Sequence, residues 1–203
     1  NNPEPICNAD RNQSWSVGLI YCNSTTNLGY TLFSPISSTT TYLIDQHGRE
    51  IHTWESSNGL RPGLSAYLLD DGALLRTGNL GSNQPGDFSA GGASGNIERI
   101  SWDGQLEWSW NYSSRDYRSH HDIEPMPNGN ILVIAWEEMD EQEVAQAGRN
   151  TESDNSDKAV TSTTLWPDMI LEIKPIGSQD VEIVWEWHAW DHLIQDFDSS
   201  KEN

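Results

Sequence analysis

The chain has 203 residues, the length of one domain, and sets 31 acidic against 11 basic side chains for a formal net charge of −20. A field of that sign repels nucleic acid and anionic membrane surfaces, which excludes nucleic-acid binding. Ten tryptophans and a hydrophobic fraction of 35% exclude a disordered acidic chain, and the lack of any run of about 18 apolar residues excludes a membrane-spanning helix.

The first residues, Asn1, Asn2, Pro3 and Glu4, carry no basic-plus-apolar signal, so the chain is cytosolic or has already lost a leader. Cys7 and Cys22 fall in an N-terminal segment, 1–28, where a disulfide would pin a loose end; two free thiols are the alternative. Bridging a loop of that length is worth roughly 3 kcal/mol, and a bridge implies an oxidising compartment.

From residue 29 to 203 a repeat organises the chain. Thr31, Leu32 and Phe33 form the last strand of a partial first unit. Then comes a strand–Gly–strand hairpin turning at Gly48 and closing on Trp54; it recurs around Gly104 with Trp110 and around Gly177 with Trp187. A second hairpin follows, turning at Asp71-Gly72 and again at Asn128-Gly129, steps that supply the positive φ of tight hairpin turns. Gly48 to Gly104 is 56 residues and Gly72 to Gly129 is 57, but Gly104 to Gly177 is 73. The extra length lies in an acidic insertion at 137–164, in which 141–147 has the composition of a short helix and the rest reads as a surface loop.

Two hairpins per unit make four antiparallel strands, the content of a β-propeller blade. A β-sandwich shares short strands and turns, but would not repeat a Gly–Trp hairpin at constant offset. The expectation is an all-β fold, a propeller of four-stranded antiparallel blades, with about three to four blades in this chain. Propellers close with about four to eight blades. An open arc exposes strand edges, so the remaining blades are expected from the same protein or another chain.

Chemistry concentrates in two stretches. In the first, Arg118, His120, His121 and Asp122 precede the Asn128-Gly129 hairpin, where an inner strand begins. A histidine there suits a nucleophile or proton carrier, Asp122 an orienting carboxylate, and Arg118 a fixed cation for an oxyanion. A histidine bonded to backbone is the bland alternative. Neighbouring strand residues point to opposite faces, so only one of the pair is expected to face the channel. In the second, His192 follows a Trp-rich hairpin at the channel mouth, and His188 alternates with tryptophans as a structural residue. No zinc-type spacing is present, and neither metal nor cofactor is expected.

The string His121-Asp122-Ile123-Glu124-Pro125-Met126-Pro127-Asn128-Gly129-Asn130 resembles the bacterial arylsulfotransferase family. So do the segments carrying Tyr30, Leu43, Leu75, Trp185 and His192, and the likeness covers roughly residues 18–198. The resemblance implies an exported, often periplasmic, six-bladed propeller. It further implies ping-pong sulfuryl transfer from a phenolic sulfate ester to a phenol through a sulfo-histidine, without a nucleotide donor. His121 or His120 would bind the sulfuryl group or move a proton; the family's nucleophilic histidine lies in later blades, beyond this sequence. The alternative is a secreted, non-catalytic propeller module for ligand binding or assembly.

Overall fold

The computed structural model describes residues 19, 25–27, 29–148, 164–194 and 199–200. Cys7 and Cys22, with the disulfide expected between them, lie outside the described residues, as does 149–163 within the acidic insertion.

The described chain is all-β and forms three antiparallel sheets, each a meander in which consecutive strands are neighbours. The first holds β1 (Thr31–Phe33), β2 (Thr40–Ile44) and β3 (Glu50–Glu55). The second holds β4 (Arg61–Leu68), β5 (Leu74–Asn79), β6 (Gly95–Ile100) and β7 (Leu106–Asn111). The third holds β8 (Tyr117–Pro125), β9 (Ile131–Glu137), β10 (Asp168–Ile176) and β11 (Asp180–His188). A helix, α1 (Glu141–Gln146), stands in the insertion; Asp140 accepts from the Glu143 amide and Glu143 reaches back to the Asp140 amide, a reciprocal N-terminal cap.

The hairpins turn where the sequence placed them. Gly72 and Gly129 have φ of 85° and 83°, and the preceding Asp71 and Asn128 side chains accept from the amides of Ala73 and Asn130. The phase of the unit is different from the sequence reading. Each four-stranded sheet begins with the Gly72-type hairpin and ends with the Gly104-type hairpin, the first sheet ends with the Gly48 hairpin of the same type, and the third sheet has all four strands. β5 and β6 pair across the long 80–94 connection, while β3 and β4, joined by only five residues, part company.

The register repeats with the sheets. Thr77 faces Ile97 in the second, and Ile134 faces Ile170 at the same place in the third. The last hairpin of every sheet carries an irregularity at one position, between Leu43/Ile44, Arg99/Ile100 and Glu172/Ile173. Both complete sheets also have a bulged first strand, between Pro62/Ala66 in β4 and Ser119/Ile123 in β8.

Leu74 and Leu75 point to opposite faces of the second sheet and are both fully buried. Leu74 packs with Leu43, Trp54 and Ile100 against the first sheet; Leu75 packs with Ile97 and Trp108 against Ile123, Val133 and Leu171 of the third. A fully buried ion pair, Arg76 to Glu98 at 3.8 Å, lies on the Leu74 face. Arg76 also donates to the carbonyls of Thr39 and Leu60, and Glu98 accepts from Ser56 and Asn58. Both partners need those extra bonds, because desolvating two charges costs more than one contact returns. β4 runs beside β8, while β7 and β11 meet more slightly at the opposite edges of their sheets.

Candidate functional site

The site grows from the bulge in β8. Ser119 pairs with Ala135 and Ile123 with Val133, so His120, His121 and Asp122 together face one residue of β9. Extra residues turn the strand and re-aim its side chains. His121 takes φ of 52°, a left-handed backbone rare for a residue with a Cβ. Its amide donates to the Gly92 carbonyl at 2.8 Å, and the Ser94 amide donates to the Ser119 carbonyl at 3.0 Å, so the 80–94 connection lies along the bulge and holds it.

The bulge overturns the expectation that the two histidines diverge. Their Nδ1 atoms lie 2.8 Å apart, with ring planes at 89°. His120 is buried, stacks on Trp136 at 3.8 Å and meets the Asp168 carboxylate with Nε2 at 3.1 Å. Burial pushes its pKa down; Asp168 pulls the other way and the neighbouring His121 adds to the fall. His121 is exposed and lies against Gly92, where a Cβ would come within 2.2 Å of the imidazole.

Asp122 does not orient either ring. Its carboxylate accepts from the Tyr67 hydroxyl at 3.0 Å and from the Ile123 amide at 2.8 Å, and the orienting acid is Asp168. Partial burial, then the Asp122 bond and the nearby Glu124, push the Tyr67 hydroxyl up to about 12.

Arg118 is buried and its guanidinium bonds to the carbonyls of Pro85 and Phe88 and to the Ser113 hydroxyl. It clamps the 80–94 connection, and thus the seat of His121. Phe88 in turn stacks on Trp166 at 4.0 Å and meets the edge of Trp136 at 5.3 Å, so an aromatic wall borders the histidine pair.

His192 is not brought to this cluster. It is exposed in a short 3-10 turn after β11, stacked on Trp187 at 5.0 Å. β11 is three strands from β8, about 14 Å at ~4.8 Å per strand. His188 bonds the Glu137 carboxylate at 2.9 Å, the structural role expected of it.

Asp168, Trp136, Tyr67 and Gly92 were not found by sequence reasoning. The one signal the residues offer is the Gly91-Gly92 step, whose composition marks a turn without pointing to a histidine seat. Asp168 is 48 residues from His120 and belongs to no motif. Among the described residues no group of three or more His, Cys, Asp or Glu is placed to hold a metal ion, and no helix is long and apolar enough to cross a membrane. No family model matches the chain, and no curated protein matches it.

Proposed function

We propose that the three sheets are successive blades of a β-propeller and that the protein carries out sulfuryl transfer from a phenolic sulfate ester to a phenol in an exported compartment. The propeller reading is supported by the shared register, the shared bulges and the side-by-side first strands β4 and β8. Further blades, from the same protein or another chain, would complete the ring and supply the sulfuryl-carrying histidine.

The observation that carries the chemistry is the contact chain from Asp168 through His120 to the exposed His121, beside an aromatic wall. A neutral imidazole at the surface takes the proton of the acceptor phenol as its oxygen bonds to sulfur. In the donor half-reaction the sulfur–oxygen bond to the first phenol breaks as a sulfur–nitrogen bond forms on the sulfuryl-carrying histidine, and a proton held on His121 passes to the departing phenolate; in the acceptor half-reaction that sulfur–nitrogen bond breaks as the second phenol's oxygen bonds to sulfur and its proton restores His121. The aromatic wall offers a face for the phenyl ring.

The test uses the full natural polypeptide with a nitrophenyl sulfate and a phenol acceptor. Nitrophenol release is expected, and His121→Ala should lower its rate by about 10²–10⁴-fold, the usual worth of a general base. A full-length protein that releases none overturns the assignment.

One observation favours a non-catalytic binding module. Arg118 is committed to loop carbonyls, the Asp168 carboxylate bonds His120, and Asp122 follows His121 in the bulge, an environment that repels a sulfate until cations arrive from elsewhere. Calorimetry separates the two: a module binds a neutral phenol and rejects its sulfate ester, whereas the enzyme binds both.

A further inference from the structure

We infer that Asp168 is a positioning residue that fixes the tautomers of both imidazoles, so that His121 presents an unprotonated Nε2 to solvent. Its functional meaning rests on the reading of His121 as the proton carrier, but the tautomer itself does not.

A carboxylate only accepts hydrogen bonds. The 3.1 Å contact from Asp168 therefore requires a proton on His120 Nε2. Burial holds that imidazole neutral, with a single ring proton, so its Nδ1 is bare. Two bare nitrogens do not sit 2.8 Å apart, so the proton between the rings belongs to His121 Nδ1. A neutral His121 then has its lone pair on Nε2. The rings have little freedom to escape this order: His120 is stacked on Trp136, and His121 is fixed by its left-handed backbone and its amide bond to Gly92.

The arrangement also leaves the added proton where it can leave again. A proton landing on His121 Nε2 makes an imidazolium whose Nδ1–H still donates to His120 Nδ1. Burial disfavours the charge on the inner ring, so it stays on the exposed His121, and nothing is consumed when the Nε2 proton departs.

The experiment is two-bond ¹⁵N–¹H correlation on ¹⁵N-histidine-labelled 203-residue chain at about pH 8, above the ordinary histidine range. His121→Ala identifies the His121 signals. The expected result is the Nδ1–H tautomer for His121 and the Nε2–H tautomer for His120. In Asp168→Ala, His121 should shift toward the Nε2–H form that free imidazole prefers, while Asp168→Glu should retain the wild-type pattern in part. The Asp168 side chain is 53% exposed, so these variants keep the fold, and backbone amide spectra check that they do. An Nε2–H tautomer for His121 in the wild type, or no change in Asp168→Ala, overturns the inference. The correct tautomers in a full-length protein without sulfuryl transfer would leave the tautomer order standing and remove the activity assigned to it.

Discussion

At the scale of single residues, the site depends on one backbone conformation that side-chain chemistry alone would not select. A left-handed residue with a Cβ costs about 1–2 kcal/mol. His121 accepts that cost at φ of 52°, and Leu64 does so at the equivalent place in β4, at φ of 104°. The bulge is therefore a feature of the scaffold, present whether or not histidines occupy it. In β4 it carries Gly63, Leu64 and Ser65, and in β8 it carries His120, His121 and Asp122. Gly92 completes the seat twice over: its φ is 85°, and a Cβ there would overlap the His121 ring. Gly92→Ala should cost about 1–3 kcal/mol, a melting temperature several degrees lower, and should make His121 react faster with diethyl pyrocarbonate. Gly91→Ala is the control, because nothing lies within 4 Å of its added Cβ. Equal behaviour of the two variants would show that His121 is not seated on Gly92.

At the scale of strands, the ends of β8 to β11 are tied by histidine–carboxylate pairs whose pH dependence runs in opposite senses. Burial pulls the His188 pKa down, but the hydrogen bond and charge of Glu137, with Glu186 and Asp191 behind them, outweigh it, and the pKa is raised. A raised folded pKa means that the pair's stabilisation is fully present below the unfolded value of about 6.5 and fades as pH rises through the folded value. His120 is lowered, so its contribution is present above about pH 6.5 and is lost as pH falls. In thermal melts His188→Gln should therefore be less stable than wild type at about pH 6, with the gap closing above neutrality. A gap that is constant across that range would sink the ion-pair account. The hairpins themselves were legible in the sequence because each needs a positive-φ turn, and Gly48, Gly72, Gly104, Gly129 and Gly177 announce it. Which hairpins share a sheet was not legible. Pairing is decided by which faces can be buried together, so β5 finds β6 across fifteen residues while β4 leaves β3 after five. The bulge was equally hidden, since strict alternation is the only rule that residue order offers, and with it went the meeting of His120, His121 and Asp168.

At the scale of the whole molecule, the repeat identifies a sheet face that no described sheet covers. Leu75, Ile97 and Trp108 of the second sheet are buried against the third. The same register positions in the third sheet are Leu132, Ile170 and Trp185, and no described sheet covers them. Trp108 is 3% exposed and donates its indole N–H to the Asp180 carbonyl of the third sheet; Trp185 is 47% exposed. Two residues alike in type, strand and register thus differ only in whether a further sheet stands in front of them. Trp108→Ala should cost about 3–5 kcal/mol in urea unfolding of the 203-residue chain, and Trp185→Ala less than about 1 kcal/mol. In any longer or assembled form that places another blade on this face, the two costs should converge. If Trp185→Ala is already as damaging as Trp108→Ala in the chain by itself, the face is covered from within, and the proposal of a further blade against the third sheet fails.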